Sequence, residues 1–211
     1  MILGEFDPKK PFYGLVLVYL SQVHGFFELI ARGLLQRFER FCQGPTQRNL
    51  SKEELMAKYS FSLGIKDVEG VLRAGKTTLL NNPVLLSQTG EGIKWDSTEL
   101  AETVFMEYEA ALQSFNRLSA GSLLILAWDR VPPKHRGSPI GQFLKHCRNA
   151  AAHNGAFHFK PEEPKKPAEW RTLSIVRTMQ GDSLFADPPK PGFIRIGDVL
   201  YLLADIEKQF N

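Results

Sequence analysis

The chain concentrates its chemistry-bearing side chains in one short region around residue 150. Four of its five histidines fall between residues 135 and 158. The same region holds a group of cations, namely Lys134, Arg136, Lys145, Arg148 and Lys160. Imidazoles transfer protons near neutral pH, and cationic side chains hold phosphate oxygens. This composition is what chemistry on a phosphodiester would need.

Residues 139–153 predict an amphipathic helix that carries part of this cluster. Its buried stripe is expected to contain Ile140, Phe143, Leu144, Cys147 and Ala151. The opposite face is expected to contain Gln142, His146, Asn149 and His153. Asn149 and His153 are four residues apart and therefore stack, whereas Arg148 lies to one side. We expect an open polar face with a basic rim around these three residues.

The rim supplies five further candidates for contact with a substrate. They are Lys134, Arg136, Lys145, His146 and His158. For His146 and His158 a plain surface position is the competing interpretation. A metal site built from His146, His153 and His158 would have spacings of seven and five residues and no nearby acid that fits, so we expect no metal and no cofactor.

Residues 148–153 read RNAAAH, which resembles the RNxxxH signature of the HEPN superfamily. In that family the motif lies in the C-terminal part of a late helix of an up-and-down helical bundle, and dimerisation often brings two motifs into one cleft. Members are commonly metal-independent ribonucleases of toxin-antitoxin, phage-defence or RNA-processing systems. The resemblance thus implies a metal-independent endoribonuclease.

The resemblance also implies roles for the motif residues. The 2′-hydroxyl of RNA would attack the adjacent phosphorus, with His153 as general acid and base. Arg148 would hold the non-bridging oxygens, and Asn149 would orient the histidine or a phosphate. RNA and a second copy of the chain are the implied partners, and an antitoxin or other inhibitor protein is compatible with the family. Some toxins carry a modified tyrosine two residues after the histidine; Gly155 stands there instead, so we do not expect that modification.

Two other functions stay open at this level. A non-catalytic HEPN-like module would bind RNA or protein through the same fold, and Arg148 would then pair with Glu162 or Glu163. Alternatively, residues 70–77 read GVLRAGKT and fit the phosphate-binding loop of nucleotide hydrolases, and Leu123 to Asp129 resembles the strand ending in an acid that accompanies it. That loop needs an apolar strand directly before it, but residues 61–69 read FSLGIKDVE, so nucleotide hydrolysis is the weakest of the three.

The patterns along the rest of the chain predict a mainly α protein. We expect an up-and-down HEPN-like helical bundle with a small β-hairpin or meander near the C-terminus. Helical patterns cover four segments: Pro11 to about Phe41, residues 51–58, residues 66–80, and Asp96 or Ser97 to about Leu118. We expect the first segment to stop at Gly44 and Pro45, and a break at Ala120 and Gly121 to follow the fourth. The apolar run 123–128 fits helix or strand. Asp198 is expected to cap a last helix from Val199 to about Phe210.

Composition places all of this in one globular domain. A chain of 211 residues with 43% hydrophobic residues is long enough for one substantial core. We expect a single domain, 1–211, with a helical core at 11–155, a β-containing insertion at 156–197 and a C-terminal helix at 198–211. The net charge of +3 favours anionic partners but does not by itself indicate a function.

The cysteines and the N-terminus predict a compartment. Cys42 and Cys147 lack the spacing of a zinc module or of a disulfide framework, which favours free thiols. The start MILGEFDPKK does not read as a secretory signal, and we expect that no apolar run approaches the length of a membrane span. We therefore expect a cytoplasmic protein without membrane contact.

Overall fold

The computed structural model describes residues 2–43, 84–86, 92–94, 96–186 and 192–210. Within these ranges the helices are α1 (Tyr13–Gln43), α2 (Ser97–Met106), α3 (Tyr108–Arg130), α4 (Pro139–Ala152) and α5 (Ile196–Glu207). Strands β1 (Val84–Leu86) and β2 (Gly92–Lys94) pair antiparallel, as do β3 (Glu169–Trp170) and β4 (Leu173–Ser174). The described chain is mainly helical with a small hairpin near the C-terminus, as the sequence predicts.

The chain divides into two compact units, and the motif lies in the first. This unit comprises Met1–Val23 and Leu112–Asn211. Its core consists of side chains from α3, α4, α5, the start of α1 and the segment after α4, among them Phe12, Val16, Leu124, Phe143, Leu144, Phe157, Leu202 and Leu203. Burial of each such side chain contributes about 1.5–3 kcal/mol. The core fixes α4 and with it the motif.

The second unit comprises His24–Ala111. Gly33 of α1 lies against Ala101 and Phe105 of α2 so closely that no Cβ would fit. The β1–β2 hairpin of this unit was not predicted. The predicted helices at 51–58 and 66–80, the helix stop at Gly44 and Pro45 and the phosphate-loop pattern at 70–77 lie outside the described residues.

Helix α2 begins where its sequence predicts. Asp96 Oδ1 accepts hydrogen bonds from the backbone N–H groups of Thr98 (2.7 Å) and Glu99 (3.3 Å), which is the N-cap arrangement. The helix ends at Met106 rather than near Leu118.

Helix α3 overturns the predicted break at Ala120 and Gly121. Both residues lie inside the helix and are buried. A Cβ on Gly121 would lie 3.6 Å from the Cβ of Ala151, which is an ordinary van der Waals contact, so this side of α3 faces α4. The run Leu123 to Asp129 is helical. It therefore does not form the strand that would accompany a phosphate loop.

Helix α4 confirms its predicted limits. Ser138 Oγ accepts a hydrogen bond from the Gly141 N–H at 3.2 Å, and Pro139 occupies the first turn. The helix stops at His153, after which Asn154 (φ 56°) and Gly155 (φ 76°) adopt the left-handed conformation that ends helices.

Helix α5 is confirmed with a shifted start. It begins at Ile196, so that Asp198 lies in its first turn rather than at the cap. From there Asp198 Oδ2 accepts the N–H of Arg195 at 2.9 Å, which still satisfies a backbone donor at the helix start.

Helix α1 contradicts one prediction. Its segment Tyr13–Leu34 is long and apolar enough, by length and composition alone, to cross a membrane. Core helices of soluble proteins pass the same test when they are mostly buried, whereas 22% of this window is buried. Val16, Tyr19 and Ile30 are buried, and Val18 and Phe27 are exposed. The expectation that no apolar run approaches a membrane span is wrong, and the cytoplasmic location stays a prediction.

Candidate active site at the end of helix α4

Packing on one face of α4 fixes the helix that carries the motif. Ile140, Phe143, Leu144 and Cys147 are buried as predicted, whereas Ala151 is half-buried. The Phe143 ring lies 5.7 Å from Trp170 of β3 and 5.8 Å from Phe193, centroid to centroid. Contacts from two distant segments therefore set the position of α4.

Arg148 and Asn149 are half-buried and joined to each other. Arg148 Nη1 donates a hydrogen bond to Asn149 Oδ1 at 3.2 Å. Arg148 Nε is buried and, among the described residues, has no hydrogen-bond partner. Glu163 and Glu162 pair with Lys145 and Lys165, not with Arg148. An unpaired buried donor costs about 1–3 kcal/mol, so this conformation leaves one N–H group of the guanidinium unsatisfied.

His153 lies at the very end of α4 with an exposed side chain. Its backbone N–H donates to the carbonyls of Asn149 (3.0 Å) and Ala150 (3.1 Å). Its ring centroid is 5.3 Å from that of His158, with an angle of 46° between the rings. The structure thus brings together two accessible imidazoles.

The segment after α4 folds back and brings His158 into place. The Phe157 N–H donates to the Asp182 carbonyl, and the Gly181 N–H donates to the Phe157 carbonyl, both at 2.9 Å. Phe157 and Phe159 are buried, and their rings stack at 5.8 Å. Since side chains alternate along an extended segment, His158 points outward.

The remaining rim candidates, apart from His146, differ in what their side chains contact. Arg136 donates from Nε to the Val131 carbonyl (2.9 Å) and from Nη2 to the Asp129 carbonyl (3.3 Å), and its guanidinium lies 5.1 Å from the Trp128 ring centroid. It therefore satisfies carbonyls at the end of α3. Lys145 forms an ion pair with Glu163 at 2.8 Å. Lys134 is exposed.

His146 does not lie on the open face, and that prediction is wrong. Its side chain is 1% exposed, and its ring meets Phe159 edge-on at 5.5 Å. Neither ring nitrogen has a hydrogen-bond partner among the described residues. Burial lowers the pKa of His146, the charge of Lys145 lowers it further, and Glu163 opposes both. The ring is therefore a neutral part of the interior.

Gln180 is the residue near this site that sequence reasoning missed. Its Oε1 accepts the N–H of Phe159 at 2.8 Å, and its Nε2 lies 3.4 Å from Nδ1 of His158. No motif or periodicity marks it, because only the fold brings residue 180 beside residue 158.

The surroundings of the motif add two facts. A cavity of about 470 Å³ lies beside Lys145, Lys160, Glu162, Glu163 and Lys165, and none of the three motif residues lines it. Within the described ranges, no three His, Cys, Asp or Glu side chains are grouped so that they could hold a metal ion.

No family model, curated protein or solved structure matches this chain. The geometry itself is what can be interpreted: an exposed imidazole at a helix end, a guanidinium with unused donors, an amide bound to that guanidinium, and a second imidazole. This set can move a proton beside an anion that Arg148 holds.

Proposed function

We propose that the protein is a metal-independent endoribonuclease of the HEPN type that acts through Arg148, Asn149 and His153. The observation that carries the proposal is the state of Arg148. Among the described residues its Nε has no partner, and its Nη1 is held by Asn149. A guanidinium for which the described part of the chain supplies no ion pair, and which lies on the same helix end as an exposed histidine, is suited to a phosphate.

The reaction uses the nucleophile of the substrate. The 2′-oxygen bonds to the adjacent phosphorus while His153 accepts the 2′-hydroxyl proton. The bond from phosphorus to the 5′-oxygen breaks, and His153 passes the proton it accepted to that oxygen through water, which restores the ring. The products are a 2′,3′-cyclic phosphate and a 5′-hydroxyl. Because DNA lacks the 2′-hydroxyl, it is not cleaved.

Arg148 contributes by offsetting negative charge on the non-bridging oxygens. A guanidinium presents its N–H groups as a planar fork, which binds two phosphate oxygens at once. Since Asn149 already holds Nη1, the fork is oriented before substrate arrives, and less side-chain freedom is lost on binding.

The biological setting follows from the resemblance of the motif. We propose RNA as the substrate, a cytoplasmic location and a role in a toxin or defence system, with a second copy of the chain completing the cleft. Sedimentation of the purified protein tests the proposed dimer, because a monomer that cleaves RNA at full rate would contradict it.

The experiment that tests the function compares matched histidine variants. Purified wild type, His153→Ala and His24→Ala are incubated with RNA and DNA of the same sequence in EDTA and then in magnesium. His24 is a suitable control because its side chain is 75% exposed and its pair within the described residues is Glu28, four residues away, so its loss costs little.

We expect cleavage of RNA alone, in EDTA, by the wild type and by His24→Ala. His153→Ala should be inactive while its thermal unfolding is unchanged. RNA binding without cleavage under any condition would contradict the proposal and favour the non-catalytic HEPN-like binding module.

A further inference from the structure

The orientation of Gln180 defines which end of its amide faces His158. A backbone N–H can only donate, so the amide atom that lies 2.8 Å from the Phe159 nitrogen is the oxygen. The other end, Nε2, carries only donor hydrogens, and it is this end that lies 3.4 Å from His158 Nδ1. The amide therefore offers His158 a donor.

A donor opposite Nδ1 selects one tautomer of the ring. Nδ1 has to accept, so the neutral His158 ring carries its hydrogen on Nε2. The structure gives Nε2 no partner among the described residues. His158 thus presents an unused N–H on the side of the ring away from Gln180.

The position of that N–H is set by the backbone rather than by the flexible side chain alone. The Phe157 and Gly181 backbone groups are paired at 2.9 Å, and the buried, stacked rings of Phe157 and Phe159 anchor the residues before and after His158. The ring of His158 lies 5.3 Å from that of His153, centroid to centroid. A phosphate within reach of His153 is therefore also within reach of His158.

We infer that His158 is a second substrate-contacting residue, an imidazole that donates its Nε2–H to a phosphate oxygen beside His153, and that Gln180 is its positioning residue. The inference rests on the proposed function. His153 alone exchanges protons in the reaction, whereas His158 keeps its hydrogen and stabilises charge by a hydrogen bond.

The test separates a hydrogen-bond donor from a proton carrier by using a substitution that retains only the donor. RNA cleavage is measured against pH for wild type, His158→Ala, His158→Gln and Gln180→Ala. Loss of one hydrogen bond to a charged oxygen corresponds to about a 10- to 100-fold decrease in kcat/KM, which we expect for His158→Ala. His158→Gln should recover most of the activity, and all variants should keep the shape of the wild-type pH profile.

Two activity results would overturn the inference while leaving the proposed function intact. One is that His158→Ala cleaves as fast as wild type. The other is that His158→Gln is as inactive as His158→Ala and that both lose one limb of the pH profile, which would make His158 a proton carrier.

A readout without turnover keeps the two proposals distinct. Nitrogen-15 NMR of the histidine rings in mildly alkaline solution should show His158 protonated at Nε2 in the wild type, and a mixture of tautomers in Gln180→Ala. Inorganic phosphate should shift the His158 Nε2 signal. A His158 ring protonated at Nδ1 would contradict the inference, whereas an inactive wild type that shows the expected tautomer and phosphate shift would contradict only the proposed nuclease.

Discussion

Arg148 Nη1 donates a hydrogen bond to Asn149 Oδ1 at 3.2 Å, while Arg148 Nε, in the same guanidinium, is buried without a partner among the described residues. Neighbouring positions on a helix point in different directions, so this contact requires Arg148 to bend toward Asn149. The two residues act as one unit. The guanidinium is oriented by an amide, which carries no charge of its own.

Replacement of Arg148 should reduce cleavage without unfolding the protein. Arg148→Lys keeps the charge but loses the planar fork, so kcat/KM should fall by about 100-fold, the cost of one transition-state donor. Steady-state cleavage of a labelled RNA measures this effect.

Arg136→Lys is the matched control for Arg148→Lys, because Arg136 binds carbonyls of its own chain at the end of α3. It should lower the unfolding temperature and leave kcat/KM unchanged. Equal losses of activity in the two variants would contradict the assignment of Arg148.

Substitution of Asn149 tests whether an uncharged partner for Arg148 matters. Asn149→Asp conserves size but places a carboxylate on the guanidinium, which would form an ion pair and repel phosphate. We expect Asn149→Asp to raise KM more than Asn149→Ala does. If the aspartate variant cleaves RNA as well as the alanine variant or better, the neutral partner is irrelevant to substrate binding.

The limits of α4 could be predicted because they depend on local chemistry. Ser138 and Pro139 start the helix, and Asn154 and Gly155 end it, all through contacts or backbone conformations within a few residues. The spacing of Arg148, Asn149 and His153 on that helix follows directly. This part of the candidate site needs no tertiary information.

The features that could not be predicted depend on long-range packing. His146 is buried because Phe159, from the segment that folds back after α4, covers it. Helix α3 continues through Ala120 and Gly121, where both residues are buried and Gly121 faces Ala151 of α4. Periodicity predicts an exposed His146 and a helix break at Ala120 and Gly121, because it contains no information about neighbouring segments.

Two helix-start glycines should respond to alanine in opposite directions. A Cβ at Gly141 in α4 would overlap the His135 carbonyl oxygen, so Gly141→Ala should lower the free energy of unfolding by about 1–3 kcal/mol. A Cβ at Gly197 in α5 meets nothing within 4 Å, so Gly197→Ala should raise it by about 0.5–1 kcal/mol. Urea unfolding measures both; a stabilising Gly141→Ala would contradict the packing around the loop before α4.

Glu207 should contribute stability at low pH that is lost as the pH rises. Its carboxyl is 3% exposed and accepts the N–H groups of Asp7 and Phe12, both at 3.3 Å. Burial raises the pKa of Glu207 above its ordinary 4.5, although the two backbone hydrogen bonds oppose the shift. The folded state therefore binds this proton more tightly than the unfolded state does.

The stabilising contribution of protonated Glu207 is complete below pH 4.5, the value in the unfolded chain, and is lost as the pH rises through the higher folded pKa. Glu207→Gln removes this dependence. The difference in the free energy of unfolding, wild type minus Glu207→Gln, should decrease as the pH rises from mildly acidic to neutral. A difference that rises over the same interval would mean that the folded carboxyl favours its charged form.

The most direct test of the nuclease account uses a single altered sugar. Once the preferred linkage in a short RNA is mapped in EDTA, the same RNA is made with a 2′-deoxyribose on the 5′ side of that linkage only. Cleavage there should stop while other linkages are cleaved as before, and the unmodified RNA should leave a 2′,3′-cyclic phosphate. Cleavage that persists beside the deoxyribose would show that the 2′-hydroxyl is not the nucleophile and would contradict the mechanism assigned to Arg148, Asn149 and His153.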